Sequence, residues 1–251
     1  MFKKKNFFND IIFNFKKKNV LIIGGSKGIG LGLVNLFLES DANVIYASRS
    51  KIRYKFKRKK PIFYKTDITN TQDINRLFNK INKMKKLDIL INSAAINYSK
   101  KNNFISIKEW NQVINTNLTA AFLICKLAIK LMKKYKYGKI VNISSIAGRH
   151  RSYVSGAHYV SSKAGLIGLT KQLAYESAKY NININAVCPS QTKTEMLKKT
   201  MSVKQISILE KKIPFGRVAE INEQTGPIAF LCSEAASYIT GTYIDVSAGQ
   251  I

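Results

Sequence analysis

The sequence predicts an α/β fold, a doubly wound parallel sheet with helices on both faces, in three layers and a single domain. Short apolar, β-branched runs alternate along the chain with stretches of helical periodicity. This alternation is typical of parallel sheets built from strand–helix–strand units. The chain has 251 residues, 45% of them hydrophobic, with no internal repeat or linker, which suits one well-buried domain over residues 1–251.

The predicted strands are apolar runs that end in small or polar residues. The first, "NVLIIGG", is rich in β-branched residues and ends in glycines, which indicates a strand buried on both faces. The later runs have the same character. Strands are predicted at 19–25, 42–48, 61–67, 87–95, 138–145, 184–189 and 242–248.

The predicted helices repeat apolar residues every three or four positions, as Leu31, Val34 and Leu38 do on one face of the first. For the second helix, either Thr69 or Thr71 is expected to cap the N-terminus. The third is expected to be long. Helices are predicted at 29–40, 71–84, 108–134 and 159–179.

Residues suited to chemistry follow these strands. In open parallel sheets, ligands bind at the carboxyl ends of the strands. We therefore expect a single site along one edge of the sheet. It would collect the residues that follow the strands, namely Gly24 to Gly30, Ser48, Arg49, Asp67, Asn92, Ser145 and 189–194.

The glycine-rich turn "GGSKGIG" (24–30) lies between the first strand and the first helix. Glycine tolerates positive φ and lets a pyrophosphate approach the backbone, and the following helix N-terminus offers unpaired N–H groups. The spacing of Gly24, Gly28 and Gly30 differs from the common G-x-G-x-x-G pattern. In this strand–turn–helix context the turn still predicts nucleotide binding.

The end of the second strand indicates which nucleotide binds. NAD sites commonly place an acid there for the adenosine ribose, whereas NADP sites need positive charge for the 2′-phosphate. This chain has Ser48 and Arg49 at that position, and Lys27 in the glycine turn. In so basic a chain the missing acid is the more telling observation. We expect NADP(H) to be favoured over NAD(H).

The stretch "HYVSSKAGLIG" (158–168) places Tyr159 and Lys163 four positions apart among small residues. Side chains four apart on a helix lie on the same face. A lone pair of this kind is most often an ordinary surface pair. Its meaning depends on the other motifs.

Together these residues resemble the short-chain dehydrogenase/reductase family in its single-domain, Rossmann-like form, over residues 19–249. Each motif is weak alone, but their order and their places at strand ends are specific. The motifs are "GGSKGIG", Asp67, "NSAA" (92–95), "NTNL" (115–118), "ISS" (143–145), "YVSSK" (159–163) and "PSQTKT" (189–194).

The resemblance implies four catalytic residues. Tyr159 would exchange a proton with the substrate oxygen, and Lys163 would lower the pKa of the phenol and hold the nicotinamide ribose. Ser145 would hydrogen-bond the carbonyl oxygen. Asn117 would anchor a water that leads protons towards the lysine. Ser145 and Tyr159 are 14 positions apart (159 − 145), one more than is usual in the family, so Ser144 is an alternative.

The resemblance also implies a set of cofactor contacts and a mobile lid over the substrate near 195–214. No metal site is expected. The predicted cofactor-binding residues are Gly24, Ser26, Lys27, Gly28, Ile29, Gly30, Ser48, Arg49, Asp67, Ile68, Asn92, Ala94, Tyr159, Lys163, Pro189, Thr192 and Thr194.

The substrate is less well defined. The segments "KAGLIG", "EAASYITG" and "SAGQI" resemble 3-oxoacyl-[acyl-carrier-protein] reductases and their sugar- and polyol-oxidising relatives. Those reductases have two basic positions at the entrance. This chain has Lys136 at one of them and Tyr180 at the other. The loop residues Arg149, His150 and Arg151 suggest an anionic substrate. A sugar, sugar-acid or polyol dehydrogenase remains an alternative, and so does a nucleotide-binding scaffold without catalysis.

The net charge of +28 would suit an acidic acyl carrier protein, although its even spread also fits compositional bias. No motif indicates a nucleic-acid partner. No apolar stretch approaches the roughly 18 residues of a membrane span. The basic start, residues 1–18, leads directly into a strand, so no targeting segment is expected. Three scattered cysteines favour the cytoplasm.

Assembly follows from the helix at 119–132, "TAAFLICKLAIKLM", which is apolar on more than one face. A helix apolar all round needs burial on more than one side. The last strand would leave an apolar sheet edge, which is an aggregation hazard if it stays open. Members of the family of this length usually form tetramers, so we expect a homotetramer.

Overall fold

The protein is described by a computed structural model that covers residues 13–53, 56, 59–84 and 86–251. Most of the basic start of the sequence lies outside the described residues. The strands are β1 (Asn19–Ile23), β2 (Asn43–Ser48), β3 (Ile62–Lys65), β4 (Ile89–Asn92), β5 (Gly138–Ile143), β6 (Ile182–Pro189) and β7 (Tyr243–Val246).

The seven strands form one sheet in the order β3-β2-β1-β4-β5-β6-β7, and every adjacent pair is parallel. This confirms the predicted doubly wound α/β fold. The chain order reverses between β1 and β4, and in such sheets the crevice at the reversal is where ligands bind. The helices are α1 (Gly28–Glu39), α2 (Thr71–Lys83), α3 (Ile107–Ile114), α4 (Ala120–Lys133), α5 (Ala157–Ser177), α6 (Glu195–Thr200), α7 (Val203–Glu210) and α8 (Ile221–Cys232).

Alternate side chains of β1 build the two halves of the core. Val20 and Ile22 pack with α1 and α8 on one face of the sheet. Leu21 and Ile23 pack with α2, α4 and α5 on the other. Strands buried on both faces explain why β1 is continuously apolar rather than alternating. Full burial of each such side chain contributes about 1.5–3 kcal/mol.

The predicted helix at 108–134 is found as one helical stretch, Ile107–Lys133. Within it a π-helical turn, Asn115–Thr119, lies between α3 and α4. The turn adds a residue without breaking the helix. Turns of this kind are frequent at functional sites.

The predicted caps of α2 are also wrong. Asn70 is the N-cap, and its Oδ1 accepts hydrogen bonds from the Gln72 and Asp73 N–H groups at 2.8 and 3.3 Å. The Thr69 hydroxyl instead donates to Asp67 Oδ1 at 2.7 Å. Asn is among the strongest N-cap residues, which explains the outcome.

One helical stretch, Ile107–Lys133, is long and apolar enough by length and composition to cross a membrane. The expectation that no stretch approaches that limit is therefore wrong by this measure. Half of its most apolar window is buried inside the protein. Its buried residues Ile124, Cys125 and Ala128 pack against the sheet, as those of a core helix in a soluble protein do.

Candidate active site

A cavity of about 1000 Å³ runs along the carboxyl edge of the sheet. Loops after β1 to β6 and the start of α5 line it, as expected from the strand order. Most of the predicted site residues lie here: Gly24, Ser26, Lys27, Gly28, Ile29, Ser48, Arg49, Asp67, Ile68, Ala94, Ser145, Tyr159, Lys163, Pro189, Thr192 and Thr194.

Two of the predicted site residues lie beneath this cavity rather than in its wall. Asn92 Nδ2 donates to Asn142 Oδ1 at 2.8 Å and contacts Cys125 Sγ at 3.2 Å, so the side chain ties β4 to its neighbours in the core. Gly30 does not line the cavity either. A Cβ there would lie 2.3 Å from Gly24 O, so this glycine allows the turn to close on itself. Both residues support the site and do not form part of its surface.

Asn117 is the third predicted residue outside the cavity wall. It lies in the π-helical turn, where its Nδ2 donates to Ile96 O at 2.9 Å and to Ser162 Oγ at 3.0 Å. Its Oδ1 accepts from the Ile96 N–H at 2.9 Å. The side chain therefore joins the loop after β4 to α5. A water-anchoring role stays a prediction, and it would have to use the backbone carbonyl.

The glycine turn forms a cradle that side chains would fill. Gly24 and Gly28 have φ of +81° and +52°, the left-handed region that favours glycine. A Cβ on Gly24 would lie 2.6 Å from Ala94 N. A side chain at Gly24 would therefore collide with the Ala94 backbone, so the tight turn needs glycine there. The turn leads into the N-terminus of α1, where N–H groups favour phosphate. These residues fit the pyrophosphate of a dinucleotide cofactor.

The region around the end of β2 is strongly basic. Arg49 lines the main cavity and also a second cavity of about 490 Å³, together with Lys65, Arg76 and Lys80. Within the described part of the chain, Arg49 forms no ion pair with a carboxylate. Its guanidinium is available to an anionic group.

Lys27, the other predicted phosphate contact, is already paired. Its Nζ lies 2.5 Å from Glu195 Oε2, and both side chains are more than half exposed. This hydrogen bond is the main cause that lowers the pKa of Glu195. Because Lys27 shares its charge with a carboxylate, Arg49 is the better candidate for binding a ribose phosphate.

Two serines after β5 have different roles. Ser144 is buried, and its hydroxyl donates to Lys163 O at 2.8 Å, which fastens β5 to α5. Ser145 lines the cavity and caps a 3₁₀ turn, where its Oγ accepts the Ala147 N–H at 3.1 Å. The Ser145 side chain also acts on the Tyr159 phenol, whose pKa it lowers against the larger effect of burial. The geometry therefore favours Ser145 over Ser144 as the residue that faces a substrate.

Tyr159 and Lys163 lie on the inner face of α5, 9% and 2% exposed. Lys163 Nζ is 5.6 Å from the centre of the Tyr159 ring and donates to Ile143 O at 2.7 Å. The paired side chains are thus core-facing and reach the cavity. They are not a surface pair.

The expected lowering of the Tyr159 pKa by Lys163 is not found. Burial raises the pKa of Tyr159 to about 12, and the hydrogen bond with Ser145 opposes this. Burial also lowers the pKa of Lys163 to about 8. Burial is the main cause of both shifts, because both groups lie out of water. The phenol therefore stays protonated near neutral pH, which is the state a proton donor needs.

The basic loop contributes less to the cavity than predicted. Arg149 ion-pairs with Asp245 and packs 4.4 Å from the centre of the Tyr243 ring. His150 is exposed and does not line the cavity. Arg151 does line it and donates to Tyr153 Oη at 2.9 Å. One of three predicted cations is therefore placed to meet an anionic substrate.

The predicted entrance residues lie elsewhere in this chain. Lys136 precedes β5 and Tyr180 precedes β6, so both lie at the amino edge of the sheet. The cavity lies at the carboxyl edge. Within one subunit these two residues therefore do not flank the entrance, and a role for them in an assembly stays a prediction.

The predicted lid consists of α6 and α7, which have a small apolar cluster of their own. Its buried members are Leu197, Leu209, Ile213 and Val218. Met196 and Met201 line the cavity. The first part of the segment contributes to the cavity wall, and its role as a mobile lid stays a prediction.

Sequence reasoning also missed some of the cavity lining. Gln112 contributes to it and belongs to no motif, so only the folded chain brings it there. Gln191 lies within the predicted segment 189–194, and Gln250 and Ile251 end the segment "SAGQI", but none of the three was named as a site residue. No group of three or more His, Cys, Asp or Glu side chains suited to a metal ion occurs within the described residues.

The chain matches the family described as short chain dehydrogenase over residues 18–205. The 3-oxoacyl-[acyl-carrier-protein] reductase FabG of Rickettsia felis is 37% identical over 239 residues, which cover 93% of this chain and 97% of the relative. The protein of the same name from Aquifex aeolicus is 34% identical, with 92% and 96% covered.

Three solved structures have the same fold. A short chain dehydrogenase from Leptospira borgpetersenii with bound NAD+ has a TM-score of 0.88 and 31% identity, covering 100% of this chain and 97% of that one. The aldohexose dehydrogenase of Thermoplasma acidophilum has a TM-score of 0.85 and 30% identity, covering 94% of this chain and 96% of that one. ElxO with NADP bound has a TM-score of 0.84 and 35% identity, covering 93% of this chain and 98% of that one.

Proposed function

Because the chain belongs to the short-chain dehydrogenase family and is an NAD(P)-dependent oxidoreductase acting on CH–OH or C=O groups, we propose that it is an NADPH-dependent 3-oxoacyl-[acyl-carrier-protein] reductase. The observation that carries the proposal is the group Ser145, Tyr159 and Lys163 in one cavity. The relatives named for this activity, matched over nearly their whole length, support the substrate.

Each side chain in this group has a distinct task. NADPH supplies the hydride when it is bound. Tyr159 donates its phenolic proton to the carbonyl oxygen, and Ser145 donates a hydrogen bond to the same atom. Lys163 holds a positive charge near the phenol as the phenol loses its proton. An oxidoreductase with this group intact does not fit the scaffold alternative.

The direct test uses purified protein and NADPH with three kinds of carbonyl compound: a 3-oxoacyl thioester, aldohexoses and simple ketones. We expect NADPH oxidation with the thioester, and faster oxidation when the acyl group is carried by acyl carrier protein. The high positive charge supports attraction of that acidic partner. The sugars are also assayed with NAD+ and NADP+, because a dehydrogenase oxidises its sugar and needs the oxidised cofactor. Reduction of either cofactor by sugars, without NADPH oxidation by the thioester, would instead favour the aldohexose-type alternative suggested by the structural neighbour.

The preference for NADPH rests on Arg49. We expect Arg49→Ala to raise the KM for NADPH about 10- to 100-fold, because a charge-assisted hydrogen bond contributes about 1.5–3 kcal/mol. The KM for NADH should hardly change. Lys51→Ala is the matched control, since it removes one charge from the same loop outside the cavity. Equal effects on both cofactors would rule out a phosphate contact.

We further propose a cytoplasmic homotetramer. Phe122 on α4 is 41% exposed and Tyr175 on α5 is 83% exposed, and β7 is an open sheet edge with half-buried residues. Closed pairing would cover these surfaces. The three buried, unpaired cysteines support a reducing compartment. Light scattering that finds a 28.3 kDa monomer at micromolar concentration would contradict the assembly.

A further inference from the structure

The residue before Tyr159 is a completely buried histidine that the mechanism above does not use. His158 is 0% exposed and lies in the first turn of α5. Its Nδ1 accepts the Tyr159 N–H at 2.8 Å, and the same N–H also reaches Gly156 O at 3.0 Å. Gly156 is the N-cap and has no side chain to offer. The imidazole therefore supplies the acceptor that a capping side chain would otherwise provide.

The other nitrogen of the ring faces a carboxylate. Because Nδ1 accepts a hydrogen bond, the proton of the neutral ring is on Nε2. Nε2 lies 3.6 Å from Glu109 Oε1 on α3, and neither atom has a hydrogen-bond partner among the described residues. Glu109 Oε2 accepts from Lys100 Nζ at 2.6 Å. This hydrogen bond is the main cause that lowers the pKa of Glu109, so the group is an anion.

The surroundings of His158 admit one arrangement of the ring. A Cβ on Gly156 would lie 2.7 Å from His158 Cε1 and 3.0 Å from Lys100 O, so a glycine is needed there. The Tyr98 ring closes another side, with its centre 6.0 Å from that of the imidazole. The loop at 98–100, α3 and the start of α5 thus meet at this histidine.

We propose that His158, whose Nε2 faces the carboxylate of Glu109, is a positioning residue that fixes the first turn of α5 and thereby the phenol of Tyr159. It acts through the Tyr159 backbone N–H and does not touch the substrate. The proposal rests on the proposed role of Tyr159 as proton donor. A buried imidazole with one unsatisfied nitrogen lowers the stability of the folded protein. The positioning of Tyr159 is what the contacts of His158 contribute despite that cost.

Two substitutions separate the nitrogens of the ring. In His158→Asn, Oδ1 can occupy the position of Nδ1 and keep the acceptor for Tyr159. In His158→Gln, the amide lies near the position of Nε2 and that acceptor is lost. We expect His158→Gln to lower kcat about 10- to 100-fold, the cost of a misplacement of about 1 Å. His158→Asn should retain most of kcat, and KM and NADPH affinity should change little in both.

A readout without substrate keeps this test independent of the proposed function. Hydrogen–deuterium exchange of the amides at 157–163 should be faster in His158→Gln than in the wild-type protein and near the wild-type rate in His158→Asn. If no carbonyl substrate is turned over, the proposed function fails while the exchange comparison still decides the positioning role. Equal kcat and equal exchange in the two variants would overturn it.

Glu109→Leu tests the contact between Glu109 and His158. It also tests the proposal if His158→Gln does not fold. It removes the carboxylate that keeps the imidazole turned with Nδ1 towards the Tyr159 N–H, a restraint that the shorter side chain of His158→Asn does not need, so kcat should fall while NADPH affinity measured by fluorescence stays the same. Lys108→Met, an exposed neighbour on α3, is the control and should leave kcat unchanged. An unchanged kcat in Glu109→Leu would show that the carboxylate does not support His158.

Discussion

Replacing Tyr159 with phenylalanine is expected to lower kcat by about 10²–10⁴-fold, the range typical of general acid catalysis. The substitution removes one hydroxyl and keeps the ring, which is 9% exposed and packs with Val113 and Ala147. The fold and the cofactor cradle should therefore persist. The loss corresponds to about 3–5 kcal/mol of transition-state stabilisation.

Turnover and NADPH binding should be measured on the same preparation, so that a lost proton donor is distinguished from a lost site. Tyr175→Phe is the matched control, because Tyr175 lies on the same helix but is 83% exposed. We expect wild-type turnover in the control and unchanged NADPH affinity in both variants. Wild-type turnover in Tyr159→Phe would end the assignment of Tyr159 as proton donor.

The features of this site that could be predicted from sequence are those that depend on neighbouring residues in the chain. Tyr159 and Lys163 share a helix face because of their spacing, and Gly24 and Gly28 adopt positive φ because the turn requires it. The strand order places both motifs at one sheet edge. Parallel strand–helix units place all such motifs at the same edge of the sheet, so their edge could be predicted without long-range detail.

The direction and burial of side chains could not be predicted in the same way. Asn92 belongs to a motif, but its partners Asn142 and Cys125 come from β5 and α4 and turn it into the core. The π-helical turn at Asn115–Thr119 leaves the apolar pattern intact, so periodicity predicts one helix. The ion pair of Lys27 with Glu195 joins residues 168 positions apart. Each outcome depends on contacts that exist only after folding.

The pKa values of Tyr159 and Lys163 also could not be predicted from sequence, and they lead to a prediction about the pH dependence of the reaction. Adjacency in sequence suggests that Lys163 acidifies Tyr159, whereas burial raises the pKa of the phenol to about 12 and lowers that of the ammonium to about 8. As pH rises from 6 to 10, the phenol therefore keeps its proton while Lys163 loses its positive charge. Reduction should accordingly decline above pH about 8 because of the lysine and not the tyrosine.

The kcat/KM for carbonyl reduction, which reports the ionisations of the free enzyme, should thus fall above pH about 8. In Lys163→Arg the group stays charged to above pH about 12, so the residual activity should show no fall between pH 7 and 10. Lys163→Met should lose about 10²-fold or more in kcat/KM, since the charge that supports the departing proton is gone.

Lys171→Met is the control for these variants, because Lys171 lies two turns further along the same helix and is exposed. Its pH profile should match that of the wild-type protein. A decline near pH 8 that persists in Lys163→Arg would assign the ionisation to another group. That result would leave Lys163 with the task of holding the cofactor. The buried hydrogen bond from its ammonium to Ile143 O would then serve to position the side chain and not to supply a positive charge to the reaction.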